Sequence, residues 1–576
     1  MGLVWRSSRG GSIALGLLTL AGGLVPLAIA WIGKAIVDAV VAGSTEAVVR
    51  WVVAELIAVA VQAFIQRSLG VVRSLLGARL SIDINTQILE KAVALDLGHF
   101  EDPEFYDRLT KARREASSRP VQVINDTFGI LQSVITLAGY VALLVRFSGF
   151  AVLGLVAAAI PATIVEMKFS GAAFRLRNWR APETRQMHYL EYVLANDEHA
   201  KEVKLFDLGP TLLERFKLLG ETFYREDKAL ALRRAGWAYG LSLLGTGAFY
   251  GSYAFMAIAA AAARITLGNM TLYVVALRQG QQAFQSILAS IGAMYENNLY
   301  MSNLFAFLDE VDAPTASRAP APALPEKGIR FEGVGFRYPG KETFALRGLD
   351  LSIPEGQSLA LVGHNGAGKT TFIKLLTRLY HPTEGRILLD GKDLEDWDEA
   401  ELRKRMGVVF QDFNQYHFKL RDNVGLGSVP HREDEDRIRR AAERGGATAV
   451  IGELSAGLDT QLGRSFKGGV ELSGGQWQKI ALSRAFMREE ADVLILDEPT
   501  AALDAEAEHA VFERFRALAK GRTAILISHR FPTVRMADRI IVLEGGRLIE
   551  SGTHEELLAM HGRYAELFEL QARGYN

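Results

Sequence analysis

The chain has 576 residues, with 65 basic and 66 acidic side chains, 49% apolar and 23% charged residues, and no cysteine. That length calls for more than one domain, and the composition is not that of a disordered chain. A net charge of −1 gives no argument for nucleic-acid binding, and the missing cysteines exclude disulfides, thiolate metal sites, iron–sulfur clusters and cysteine nucleophiles. The mean hydropathy of +0.10 is high for a soluble enzyme and low for an all-membrane protein, as expected of two unlike parts.

A division at Asp312 separates them. Residues 1–312 carry 29 Lys/Arg and 27 Asp/Glu, while the shorter part 313–576 carries 36 and 39. The Pro- and Ala-rich run from Asp312 to Pro325 reads as an extended linker, because Pro fixes φ and removes backbone donors. The expected domains are therefore 1–312, a linker at 313–326, and 327–576.

Six apolar stretches lie in the first part, near 11–33, 51–77, 122–146, 150–168, 236–263 and 271–295. Each supplies the roughly 20 residues that cross a bilayer. The first follows Arg6 and Arg9, as a signal peptide would, but it is too long and lacks a small-residue cleavage site. Connections near 34–50, 147–149 and 264–270 are short; those near 78–121 and 169–235 are long. Most basic residues of this part lie in the N-terminus and the long loops. The positive-inside rule then puts both termini, both long loops and everything after residue 300 in the cytoplasm.

Two short helices are expected in the long loops. Asp102-Pro103-Glu104 is a helix-start signal leading into Phe105, Tyr106 and Leu109. Asn196-Asp197-Glu198 starts another through Val203, Leu205 and Phe206. Each either packs on its own loop or acts as a lever on the cytosolic domain.

Polar residues inside the spans form two stripes. Glu55, Gln62 and Gln66 follow at i, i+7 and i+11 in the second span, and Arg278, Gln282 and Gln285 at i, i+4 and i+7 in the sixth. They either line a polar substrate cavity or hydrogen-bond between helices.

The strongest signal is Gly363-His-Asn365-Gly366-Ala-Gly368-Lys369-Thr370, preceded by the apolar run Ser358–Val362 and followed by a helical pattern from Thr371. Strand, glycine loop and helix are the context of a phosphate-binding loop, whose backbone N–H groups and helix N-terminus face phosphate oxygens. Lys369 would contact the β- and γ-phosphates of ATP, and Thr370 would coordinate Mg²⁺. Further on, the apolar run Val493–Leu496 ends in Asp497-Glu498. Asp497 is placed to hold Mg²⁺ and Glu498 to act as general base on water. Between them, Leu472-Ser473-Gly474-Gly475-Gln476 opens a helix with a second anion-binding turn. One nucleotide needs one phosphate loop, and the second turn is explained if it serves a nucleotide held by another copy.

These motifs resemble those of ATP-binding cassette (ABC) transporters, and Leu472–Gln476 matches that superfamily's signature. The resemblance implies that Tyr338 stacks on adenine and that Gln411 senses the metal and the attacking water. It also implies that Asp504 crosses a dimer interface and that His529 contacts the γ-phosphate. The whole chain is similar to a type IV exporter half-transporter: an α-helical transmembrane domain plus an α/β nucleotide-binding domain. Phe100–Asp107, with Glu104 and Tyr106, resembles a first coupling-helix segment. One stretch departs from many exporters: Thr460–Phe466 carries Gln461 and Arg464 where a Thr-Glu-Val-Gly-Glu-Arg-Gly stretch is usual. Gln476-Trp-Gln-Lys479 is weakly similar to exporters of lantibiotics and other ribosomal peptides.

The implied protein is an integral protein of a bacterial inner membrane, working as a dimer of half-transporters. A homodimer is the simplest assembly and a heterodimer remains open. The expected substrate is a peptide or amphipathic small molecule exported by alternating access at the cost of ATP. A lipid flippase on the same fold, and an ATP-gated regulator or channel without uphill transport, are the alternatives. Any peptide cargo would have its leader removed elsewhere, since no peptidase segment is visible.

Overall fold

Long apolar runs with few breakers fold as long helices, because in lipid each backbone group must be paired within its own segment. The computed structural model describes residues 2–102, 105, 108–110, 112–113, 119–145, 160–161, 164–165, 167–173, 175–176, 179–309, 327–498, 513–517, 519–528 and 530–573. They form two units: Met1–Leu95 with Glu104–Val311, and Asp96–Pro103 with Asp312–Asn576.

In the first unit α1 spans Arg9–Val41 and α2 Thr45–Ala94, capped by the Ser8 and Ser44 hydroxyls. After α3 (Leu97–Phe100), which belongs to the second unit, come α4 (Arg119–Val145), α5 (Ala181–Ala195), α6 (Asp197–Leu205), α7 (Gly209–Ala261) and α8 (Leu267–Leu308). With 53 residues, α7 is about 80 Å long, far more than a hydrocarbon layer of about 30 Å. Among the described residues α1, α2, α4 and α7 are long and apolar enough to cross a membrane. The expected fourth span at 150–168 lies mostly outside the described residues. In α8, Arg278, Gln279, Gln281 and Gln282 interrupt the apolar run.

The helices meet through small residues and one proline. Pro26 in α1 lacks an N–H, so the Gly22 carbonyl loses its intrahelical partner. Gln132 of α4 donates to that carbonyl at 3.4 Å, Thr136 to Gly23 O at 3.0 Å, and the Tyr140 hydroxyl to Pro26 O at 3.1 Å. A Cβ on Gly23 would stand 2.8 Å from Ile135, so only glycine allows this approach. Further along α2, Leu69, Leu76, Leu80, Ile84 and Ile88 form one buried stripe, packed with Phe105, Leu304 and Phe307. In the second long loop the buried Arg180 binds Glu226 at 2.7 Å and Asp227 at 3.0 Å, tying the start of α5 to α7.

The second unit holds two sheets. In the first, β1 (Gly328–Phe336), β2 (Leu346–Pro354), β4 (Glu384–Leu389) and β5 (Lys392–Asp393) pair antiparallel in the order β2-β1-β4-β5. The second contains β3 (Ser358–Val362), β6 (Met406–Val409), β7 (Val493–Asp497), β8 (Thr523–Ile527), β9 (Arg539–Glu544) and β10 (Arg547–Gly552), in the order β10-β9-β3-β8-β7-β6. All its neighbours are parallel except β10 and β9. Every residue of β7 and β8 is buried, as expected of a parallel strand covered on both faces. Helix α9 (Lys369–Leu376) lies in the core between the sheets, with Phe372 stacked on Phe331 at 4.5 Å. A separate apolar cluster joins α10 (Glu435–Gly445) to α11 (Gly474–Phe486) around Trp477.

The second loop helix forms where expected, and the first lies partly outside the described residues. The second, α6, starts at Asn196, whose side chain accepts from Glu198 N at 3.2 Å, and Leu205 and Phe206 stay exposed. For the first loop, Glu104 and Tyr106 lie outside the described residues. The element packed on the second unit is α3, just ahead of the Asp102-Pro103 signal, while Phe105 and Leu109 are buried in the first unit. Four residues cannot sustain a helix alone. Packing holds α3: Leu97 rests on the core of the second unit, and Gly98 lies against the Tyr380 ring. Glu101 accepts from Lys374 at 2.7 Å and from the Tyr380 hydroxyl at 2.6 Å. This contact draws the Glu101 carboxyl below the usual range against the opposing effect of its burial.

Candidate nucleotide site and membrane cavity

The loop Gly363–Gly368 joins the C-terminal end of the interior strand β3 to α9. Gly366 (φ 82°) and Gly368 (φ 102°) take left-handed backbone that other residues rarely adopt. A Cβ on Gly363 would lie 2.4 Å from Leu543 O. Lys369 is buried and folds back over the loop, donating to Gly363 O at 2.8 Å and His364 O at 3.1 Å. Burial lowers its pKa, and the nearby Glu498 and Asp497 carboxylates oppose that shift. The side chain is thus held over a glycine loop with its charge available to an anion. Asn365 is exposed on the same loop.

The two acids at the end of β7 sit in different environments. Asp497 is 2% exposed and its pKa is pushed up to about 6, first by burial and then by the adjacent Glu498. It accepts a hydrogen bond from Thr370, while its Oδ2 is buried with no hydrogen-bond partner among the described residues. A buried, partnerless carboxylate oxygen beside a threonine hydroxyl fits a hard cation such as Mg²⁺. Glu498 has left-handed backbone (φ 48°), rare for a residue with a side chain, and its N–H is held by Ile527 O at 3.0 Å. Gln411, just after β6, donates to Glu498 Oε2 at 3.0 Å. Glu498 can therefore present a fixed carboxylate to a water molecule.

Tyr338 bonds the Thr371 hydroxyl at 3.0 Å and packs edge-on against Phe336 and Tyr380, so its half-buried ring is held beside α9. Ser473 caps α11, and the Ser473–Gln476 pair forms a reciprocal capping box. Gln476 also reaches Glu453 at 3.2 Å. Ser473 and Gly474 are exposed, and no described hydrogen bond joins this turn to the phosphate loop of the same chain. Gln461 donates to His417 O, in the segment before the short helix Leu420–Gly425, at 2.8 Å, and Arg464 pairs with Glu471 at 3.4 Å. His529 and Asp504 lie outside the described residues.

In the first unit a cavity of about 550 Å³ opens between α1, α2, α4 and α8. Glu55, Gln62, Gln66 and Gln282 line it; Arg278 and Gln285 do not. The face of α8 that lines it runs through Thr271, Val275, Gln279, Gln282 and Ser286, one residue round from the stripe Arg278–Gln282–Gln285. One position on a helix is about 100°, enough to turn a side chain off a face. Gln132, Ser133 and Thr136 of α4 were also missed. Their i, i+1, i+4 spacing in an apolar span was the available signal.

Residues 346–501 match the family model described as ABC transporter. The chain is 34% identical over 489 residues to the subtilin transport ATP-binding protein SpaT of Bacillus subtilis, covering 84% of this chain and 79% of the relative. The nisin transport ATP-binding protein NisT of Lactococcus lactis subsp. lactis is 29% identical over 493 residues, covering 85% and 82%. An ATP-dependent lipid A-core flippase of Salmonella typhimurium is 38% identical over 309 residues, covering 53% and 52%. In three dimensions the chain is similar to a bacterial Atm1-family ABC exporter with ATP bound, with a TM-score of 0.76, 25% identity and 98% of each chain covered.

Proposed function

The chain belongs to the ABC transporters, and on that premise we propose that it is an ATP-driven peptide exporter working by alternating access as a dimer of half-transporters. It is an integral membrane protein that binds and hydrolyses ATP. We place it in a bacterial inner membrane with both termini and the nucleotide-binding domain in the cytoplasm, as the basic long loops suggest. Domain limits of 1–312 and 327–576 follow from the same reading.

In this mechanism the Gly363–Gly368 loop and Lys369 hold the β- and γ-phosphates of ATP, with Tyr338 against the adenine. Thr370 and Asp497 would hold Mg²⁺, which supplies charge neutralisation on those phosphates. Glu498, oriented by Gln411, takes a proton from the attacking water, and His529 supports the γ-phosphate. The exposed turn Ser473–Gly475 completes the site of a second copy. ATP then bridges two chains, and hydrolysis releases them. Asp504 would lie at that junction. With both half-sites present in one chain, a homodimer is the simplest assembly.

The observation that carries the peptide reading is coverage. The subtilin-transport and nisin-transport relatives align over 84% and 85% of the chain, membrane part included, whereas the flippase match spans 53%. The test is ATP-dependent uptake into inside-out vesicles, with candidate peptides and lipid probes, comparing wild type with Glu498→Gln. Uptake of peptide by wild type alone supports the reading. Uptake of lipid without peptide gives the flippase alternative, and ion conductance without uphill uptake gives the gated channel.

A further inference from the structure

The lining of the membrane cavity repeats one chemistry. Gln62 and Gln66 of α2, Gln132 of α4 and Gln279 and Gln282 of α8 face it, and Glu55 is its one ionisable group apart from the Tyr140 phenol among the described residues. A primary amide both donates and accepts, so a wall of them pairs with either side of a peptide group and gains nothing from hydrocarbon. Five such amides in apolar spans are costly unless a polar ligand or each other satisfies them. Of these, Gln132 has a long 3.4 Å bond to Gly22 O.

Glu55 stands apart from the amides. It lies seven residues before Gln62, about 10 Å toward the turn between α1 and α2. It forms no ion pair with any described residue, and among the described residues neither Lys nor Arg lines the cavity. Arg278 sits beside Gln279 in sequence and is not part of the lining. Phosphate recognition calls for Arg or Lys groups directed at the ligand, and the described lining holds none.

We propose that this cavity is a binding site for an elongated, peptide-like segment carrying a cation at one end. Glu55 receives the ammonium group, the glutamines pair with backbone amides about two helical turns away, and phosphorylated lipids are excluded. The inference rests on the export reading and deepens it by making Glu55 a specificity-determining residue. A volume of about 550 Å³ lies in the range of drug-sized ligand sites, so it takes part of a longer peptide rather than all of it.

The test uses the full chain reconstituted in liposomes, reading ATPase stimulation and ATP-driven uptake. The probes are an amphipathic decapeptide with a free amino terminus and one lysine, the same peptide acetylated on both amines, its succinylated form, and a bis-phosphorylated glycolipid. Wild type is expected to half-saturate with the cationic peptide at roughly tenfold lower concentration than with the acetylated one, and not to respond to the glycolipid. Glu55→Gln should bring the two peptides within about twofold of each other, and Glu55→Lys should favour the succinylated form. The double variant Gln62→Leu/Gln66→Leu should weaken both peptides while keeping their ratio. Equal half-saturation by the cationic and acetylated peptides in wild type overturns the inference without any variant, as does a wild-type ratio retained by Glu55→Gln. If wild type hydrolyses ATP and takes up none of the peptides, the export reading itself fails.

Discussion

Leu56 in α2 and Trp477 in α11 are both large and apolar, yet Leu56 is 69% exposed and Trp477 1%. The first belongs to a unit whose outward solvent is lipid, so an exposed leucine there is already in hydrocarbon. The second belongs to a unit in water, where its burial stabilises the fold directly. Apolar residues are thus a membrane-crossing signal in one region and a packing signal in the other. Helix α7 shows the extreme: of its 53 residues only Met256 is buried within the chain, while β7 and β8 are buried throughout.

The contrast can be broken or sharpened by substitution. The largest effect is chemical: Glu498→Gln should lower ATP hydrolysis about 10²- to 10⁴-fold while leaving nucleotide binding in place. An unchanged hydrolysis rate would remove Glu498 from the base role. Trp477→Ala, in the watery unit, should destabilise the cassette by about 3–5 kcal/mol, read by calorimetry of the detergent-solubilised chain. Gly23→Val, in the membrane unit, should cost about 1–3 kcal/mol by forcing α1 away from Ile135 and the Gln132 carbonyl, seen as faster thermal inactivation in liposomes. Lowering pH through about 6 protonates Asp497, whose ordinary pKa lies well below, so apparent Mg²⁺ affinity should fall about tenfold per unit beneath that point. Metal titrations of ATPase activity at several pH values would show it; a flat affinity from pH 7 to 5 would remove Asp497 from the metal set. The smallest effect is expected of Leu56→Ala, within about 0.5 kcal/mol in a bilayer, because the side chain leaves lipid for lipid. A loss as large as that of Trp477→Ala would mean that another protein surface covers Leu56.

The two regions also differed in how far they could be read. The cassette motifs place their residues with little freedom, since a phosphate loop needs Gly366 and Gly368 at positive φ, a strand before it and a helix after it. Asp497 and Glu498 followed from the apolar run ending at Leu496. The neighbours that tune them did not, because Gln411 and Thr370 reach those acids from distant segments. In the membrane unit the helices were legible from length and hydropathy, but their rotation was not. Of the stripe Arg278–Gln282–Gln285, Gln282 faces the cavity while Arg278 and Gln285 fall one position off its face. The docked helix α3 was invisible because Leu97–Phe100 has neither length nor a cap hydrogen bond of its own.

By itself the sequence determined the two-part architecture, the long apolar helices, the phosphate loop and the acid pair, because each depends on residues close together in the chain. Only the tertiary structure decided which face of α8 meets α1, α2 and α4. It alone left Asp497 Oδ2 buried without a partner among the described residues, and it alone set Glu55 apart from five glutamines in one cavity. Those outcomes depend on side chains far apart in the sequence, and helix rotation and sheet order are fixed only when packing brings them together.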